Sequence, residues 1–264
     1  MTPAMRLILL GGYDADAGFW RDAVRAAGSD VSPFQMGRTS TLITSLKASG
    51  VWFNLDRLWL FAAENATQAL IDLKARATAT AVNSPTFTAN RGYKGSHLSA
   101  YINSNFNPST AGGNYTQNGA SYGLWVETAE STPSGSYRYM GNDSSNYSEV
   151  VAGTSFLSMQ INQGAPAAAT TIPSASTGLI SVSRSGATAT ARYLNGALDS
   201  TTTLASIAMP NNNFNILAGN NAGTAYQQSD ARAAAAFMGG NLTALQQAAL
   251  YAQLRTYMTA VGVA

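Results

Sequence analysis

The sequence predicts a mainly β protein: a jelly-roll sandwich preceded by a helical segment and followed by one helix. Three observations carry that prediction. Residues 184–196, RSGATATARYLNG, alternate with a period of two and end on Asn195-Gly196, a strong short-range hairpin signal. Residues 241–257, NLTALQQAALYAQLRTY, read as a helix opened by Thr243 and Gln246 in capping-box spacing. From about residue 77, Thr, Ser, Asn and Gly dominate, and short alternating segments recur about every ten residues, the spacing of a sandwich.

Residues 15–76 read as mostly helical. Phe19, Trp20, Ala23, Val24 and Ala27 recur at helical spacing and stop at Gly28; Leu42, Ile43 and Leu46 share a side of a second run that ends at Gly50. The run at 55–63, LDRLWLFAA, is too short and too apolar for periodicity to separate strand from helix. Asn65 with Gln68 resembles a capping box for a helix through Leu70 and Leu73. Strands are expected at 86–89, 100–103, 122–127, 137–140, 156–161, 178–184, 188–194 and 215–218. Turn chemistry lies between them at Ser84-Pro85, Asn107-Pro108, Gly112-Gly113, Pro133-Ser134-Gly135, Asn195-Gly196 and Gly219-Asn220-Asn221. Residues 164–176 read as a long surface loop. In the final helix Leu245, Ala249, Leu254, Tyr257 and Val261 form the stripe expected to pack on the sandwich. The chain thus divides into a helical segment 1–76, a candidate attachment element, and a sandwich with its closing helix, 77–264.

Composition narrows the function. The 264 residues are 11% charged and 45% hydrophobic, with a net charge of +2 and no cysteine. A folded protein with a neutral polar surface fits, and a basic nucleic-acid stripe does not. Disulfides and cysteine metal sites are excluded. The four-residue apolar run at the N-terminus is too short for a secretory core, and nothing reaches the length of a membrane span, so synthesis in the cytosol is expected.

Residues 119–123, GASYG, match the nucleophile elbow, but a strand-like LWVE follows and His97, the sole histidine, precedes the serine, so a chance match is expected. His97 sits in GYKGSHLSAY and is expected to be a surface or strand-end residue. Glu127 and Glu130 are the nearest carboxylate pair in a strand-like setting; three residues apart they face opposite ways, which argues against a glycosidase pair. The most binding-like segment is 137–147, YRYMGNDSSNY, where aromatic faces accompany hydrogen-bonding side chains. Tyr137, Tyr139, Asn142, Asp143 and Tyr147 are its candidate contacts; the alternative is that Tyr137 and Tyr139 pack inward. Tyr115 and Tyr226 carry the same ambiguity.

Residues 50–75, 81–95, 102–126, 192–196 and 241–262 resemble a group of phage and prophage virion-associated proteins with a laminin-G/concanavalin A-like domain. The resemblance spans the chain from about residue 38; the first 37 residues do not share it. It implies a concanavalin A-like (laminin-G-like) sandwich and a non-enzymatic virion structural protein, made in the bacterial cytoplasm and exposed on the particle as a capsid decoration, fibre or tail-tip component. Other virion proteins, further copies of the chain and host surface polysaccharide are the implied partners. Some laminin-G-like domains hold calcium at the rim, which makes Asp14, Asp16, Asp143 and Asp199 candidate ligands; they form no dense oxygen-ligand motif, and calcium stays undecided, with no other cofactor expected. A carbohydrate-binding, lectin-like module is the alternative function, and a sandwich glycoside hydrolase a third.

Overall fold

The computed structural model describes residues 12–133, 137–142, 146–164 and 169–263. The chain begins with α1 (Ala15–Ala26), α2 (Pro33–Ala48), one turn α3 (Val51–Asn54), β1 (Leu55–Leu60) and a short α4 (Ala66–Leu70). Then follow β2 (Thr80–Val82), β3 (Thr86–Thr88), β4 (Gly92–Lys94), β5 (Tyr101–Asn103), α5 (Pro108–Ala111), β6 (Ala120–Thr128), β7 (Tyr137–Asn142), β8 (Tyr147–Ala152) and β9 (Phe156–Gln163). The last part holds β10 (Ala169–Pro173), β11 (Gly178–Arg184), β12 (Thr190–Leu194), β13 (Ala197–Thr202), β14 (Asn215–Ile216), β15 (Gly219–Asn221), β16 (Thr224–Tyr226), β17 (Arg232–Gly239) and α6 (Ala244–Val261).

Two antiparallel sheets form a sandwich. One runs β13-β12-β11-β6-β17-β4-β3, with β1 also on β17; the other runs β10-β9-β8-β7-β14-β5-β2. Tyr122, Leu124 and Val126 of β6 and Ile180 and Val182 of β11 point inward, onto Met140, Val150, Met159, Ile161 and Ile216 of the facing sheet. The larger sheet is apolar on its outer side too. There Trp125, Leu179 and Phe237 join Trp20, Leu46, Trp52, Leu250 and Leu254 in a second core beneath the helices. A sheet covered on both faces needs near-continuous apolar strands, and β17 meets this with small residues: Ala233 and Ala236 belong to the inner core, Ala234 and Ala235 to the outer one.

The helix signals work as local chemistry requires. Asp14 caps α1 by accepting from the Asp16 amide, and Ser32 caps α2 by accepting from that of Gln35, with Pro33 in the first turn. The Thr243–Gln246 capping box is present, and Gly262 closes α6 at φ +85°. At the β12–β13 turn, Asn195 (φ 52°) and Gly196 (φ 74°) both take the left-handed values of a type I′ hairpin.

The structure decides the open case at residues 55–60, which are strand, held to β17 by Leu58↔Phe237 and its neighbours. The β1–β17 pairing and the outer core join residues from before and after residue 76. Several other expectations are corrected. The Asn65 cap is real, but its helix ends at Leu70, and Leu73 instead donates its amide to Leu58 O. Within the expected 164–176 loop, Ala169–Pro173 is strand β10, paired with β9; residues 165–168 lie outside the described residues. Gly219–Asn221 is strand rather than turn, and the turn falls at Ala222-Gly223. Phe19 and Leu245, placed on buried stripes, are 58% and 84% exposed; Ala17 and Leu250 take the buried positions. Strands β8, β13 and β17 were not signalled by clean alternation.

Candidate functional site

One end of the sandwich gathers the C-terminal ends of β4 and β6 and the N-terminal ends of β7 and β17. The antiparallel pairing of β17 with both β4 and β6 brings three of these ends together, and the Arg138 amide, donating to Gln227 O, ties the start of β7 to the segment before β17. After β4, Gly95 continues the ladder by donating its amide to Ala231 O. A Cβ on Gly95 would lie 2.2 Å from Ser229 O, so only glycine lets the 96–100 loop lie this close to the strand before β17. His97 sits on that loop.

Three side chains distant in sequence converge there. His97 Nε2 is 2.5 Å from Glu130 Oε1 and 3.4 Å from Asp230 Oδ1. The Glu130 carboxylate is buried; its Oε2 accepts from the Ser229 hydroxyl (2.7 Å) and the Asp230 amide (3.1 Å), and its Oε1 from the Thr132 amide (3.3 Å). Asp230 accepts from the Ser131 amide (2.9 Å) and hydroxyl (2.8 Å), and Lys94 Nζ lies 3.7 Å away. Burial pushes the Asp230 carboxyl up, but its contact with Glu130, the hydrogen bonds it accepts from the Ser131 amide and hydroxyl and the neighbouring His97 outweigh burial and bring it down to about 2. The Tyr137 ring stacks on the His97 imidazole, centroids 4.2 Å apart and planes 10° from parallel. The histidine side chain stays 30% exposed and Tyr137 is half-buried, so the stack is open to solvent. Chemically, this rim offers an aromatic platform beside the part-exposed Asp230 carboxylate, with that of Glu130 buried behind it, and among the described residues His97, Glu130 and Asp230 form a trio that could hold a metal ion.

The residues expected to bind are not brought together. Tyr137 lies in the rim site. Tyr139 is fully buried: its hydroxyl accepts from the Glu130 amide (2.9 Å) and donates to Ser174 O (3.0 Å), so it supports the site from within. Burial raises its hydroxyl to about 12. Asn142 is also fully buried and bonds to Asn212 O; Asp143 lies outside the described residues. Tyr147 stands at the far end of the β7–β8 hairpin, paired with Gln163, about 17 Å along the strand from Tyr137. Tyr115 is buried, donating to Asn162 Oδ1. Tyr226 is half-buried beneath the Arg138 guanidinium (4.9 Å) and donates to Glu149 Oε1, clamping the β15–β16 hairpin onto β7.

The other candidates separate. Glu127 pairs with Arg232 (3.4 Å) and Arg91 (3.9 Å), in a network distinct from that of Glu130. Ser121 lies inside β6, buried, and donates to Gly240 O, so residues 119–123 form no nucleophile elbow. Asp14 and Asp16 meet on Lys47, while Asp199 of β13 accepts from Thr171 of β10 and from Ser200; the described calcium candidates are not all brought into one site. A groove of about 480 Å³ between α2 and α6 is lined by Pro33, Phe34, Leu42 and Tyr257, with Arg38 the one charged side chain among its lining residues. Among the described residues no helix is long and apolar enough to cross a membrane.

Sequence reasoning missed Asp230 altogether and placed His97 and Glu130 in separate arguments. The available signal was weak: a sole histidine beside a glycine-rich turn. No protein-family model and no curated protein matches this sequence. Among solved structures the fold is similar to the botulinum neurotoxin serotype D binding domain, at 12% identity and a TM-score of 0.54, over 76% of this chain and 52% of that one. The receptor binding domain of botulinum neurotoxin D gives 11% and 0.53, over 76% and 53%. Trypanosoma rangeli sialidase in complex with the inhibitor DANA gives 10% and 0.51, over 80% and 38%. The chain therefore spans about half the length of the toxin domains and two fifths of the sialidase, and the likeness is one of sandwich fold.

Proposed function

We propose that this chain is a non-enzymatic recognition module of concanavalin A-like jelly-roll type that binds carbohydrate at the His97–Tyr137 rim. The observation that carries this reading is the solvent-open aromatic stack set directly beside the part-exposed Asp230 carboxylate. Sugar rings present an apolar face that packs on aromatic rings and hydroxyls that donate to carboxylates, so both requirements meet within one patch. The sandwich fold shared with a domain described as receptor binding supports a recognition role. The dispersal of Ser121, His97 and Glu127 into separate networks supports a role without covalent chemistry.

The resemblance from residue 38 onward supports placing the module on a phage particle, as a decoration, fibre or tail-tip component that contacts host polysaccharide and assembles with virion proteins and further copies of itself. A glycan array with the wild-type chain and Tyr137→Ala tests the binding reading. Glycan binding that the variant loses, at unchanged melting temperature, is expected; binding that survives Tyr137→Ala removes this rim as the site. Side-chain-resolution electron microscopy of purified particles tests the setting, and absence of the chain from them overturns it.

A further inference from the structure

We infer that His97, Glu130 and Asp230 form a site for one divalent transition-metal ion of the zinc class. This inference does not rest on the carbohydrate reading of the rim, since metal binding is read directly.

One donor atom from each of His97, Glu130 and Asp230 lies within 4.8 Å of the others. The facing oxygens already accept from the Ser131 and Thr132 amides, and the one proton an imidazole nitrogen can carry reaches only one of the two carboxylates that converge on it. A dication at the same point satisfies both carboxylates and the nitrogen lone pair. The far carboxylate oxygens are held from behind by hydroxyls, Ser229 on Glu130 (2.7 Å) and Ser131 on Asp230 (2.8 Å). Such outer partners fix the direction of ligating carboxylates. The Tyr137 ring, stacked at 4.2 Å, fixes the imidazole plane in the same way.

The distances fit a small ion. Bonds of about 2.0–2.2 Å in tetrahedral geometry place donors about 3.4 Å apart. His97 and Asp230 already have that separation, and the 2.5 Å His97–Glu130 approach must open by about 1 Å. His97 sits beside Leu98, which is 87% exposed at the loop tip, so the shift falls on a surface loop and not on the core. The partial exposure of His97 and Asp230, 30% and 17%, leaves the outer side for water or a ligand oxygen as a further donor. One imidazole with two carboxylates suits zinc-class ions, whereas calcium takes six to eight oxygens.

The test is calorimetric titration of the chelator-stripped full chain with zinc, manganese and calcium chlorides, repeated on His97→Gln and Asp230→Asn. One zinc ion per chain is expected, bound in the micromolar range or tighter, with a rise in Tm for the wild type. Each variant should lose about tenfold or more in affinity and lose the rise in Tm. Circular dichroism identifies any variant that fails to fold, and the other then decides. No stoichiometric zinc binding would overturn the inference and leave the trio as an ion pair. Zinc affinity unchanged in a folded His97→Gln, or calcium bound in preference with no dependence on His97, would overturn it equally.

Discussion

Tyr137 and Tyr139 sit two residues apart on one strand, yet one is half-exposed on His97 and the other has no exposed surface. A β-bulge between Arg138 and Met140 breaks the simple alternation, so their shared parity does not give them a shared environment. Tyr139→Ala should therefore lower stability by about 3–5 kcal/mol, as large aromatic truncations in cores do, where Tyr137→Ala should cost about 1 kcal/mol or less. Tyr139→Phe should cost about 1–3 kcal/mol, because the Glu130 amide and Ser174 carbonyl each lose a partner. Urea denaturation of the three variants measures this order, and a Tyr139→Ala as stable as Tyr137→Ala would contradict the burial. Arg184 shows the same limit: it lies buried on β11, and its guanidinium donates to the carbonyls of Ile161, Gly186, Ala187 and Leu204, partners no local pattern announces.

Elements with a local code were legible and those with a tertiary code were not. Asn195-Gly196 announced its hairpin because both residues must take positive φ. At Gly196 a Cβ would also stand 2.8 Å from Ala248 Cα, on the helix that packs over the turn. Gly196→Ala should therefore cost about 1–3 kcal/mol. Gly186→Ala, whose new Cβ would approach nothing closer than 3.7 Å, is the control and should cost little. Equal urea midpoints for the two variants would refute the argument. Strand β17 is the opposite case. RAAAAFMG has high helix propensity and no alternation, yet it forms the middle of the larger sheet. Its alanines work because both faces are buried, one under the facing sheet and one under helices, where small side chains allow close approach.

At the scale of the whole molecule, two cores share one sheet and both hold buried phenols. Burial raises Tyr93 and Tyr139 to about 12 and pushes Tyr115, Tyr122 and Tyr257 well above the ordinary phenol value. A phenol whose folded pKa exceeds its unfolded value favours folding fully below about pH 10, and that contribution is lost as pH rises further. Moving Tyr139 from 10.0 to about 12 corresponds to about 3 kcal/mol lost over that interval. The protein should unfold cooperatively between about pH 10 and 12, with tyrosinate absorbance appearing at the same midpoint as the loss of circular dichroism. Tyrosinate that appears gradually, ahead of unfolding, would contradict the burial.

The sequence by itself determined the class of fold, the stop of α1 at Gly28, the capping box that opens α6, the β12–β13 turn, most strands from residue 86 onward and the absence of cysteine chemistry. These follow from groups within a few residues of one another, where dihedral preference and side-chain period act. Only the tertiary structure decided that 55–60 is a sheet strand, that the alanines of β17 are central and that Tyr139 is core. It alone brought His97 to Glu130 and Asp230 across separations of 33 and 133 residues. Such convergence depends on which strand ends share a rim, and strand order is set by the burial of two cores together, which no local window of the chain contains.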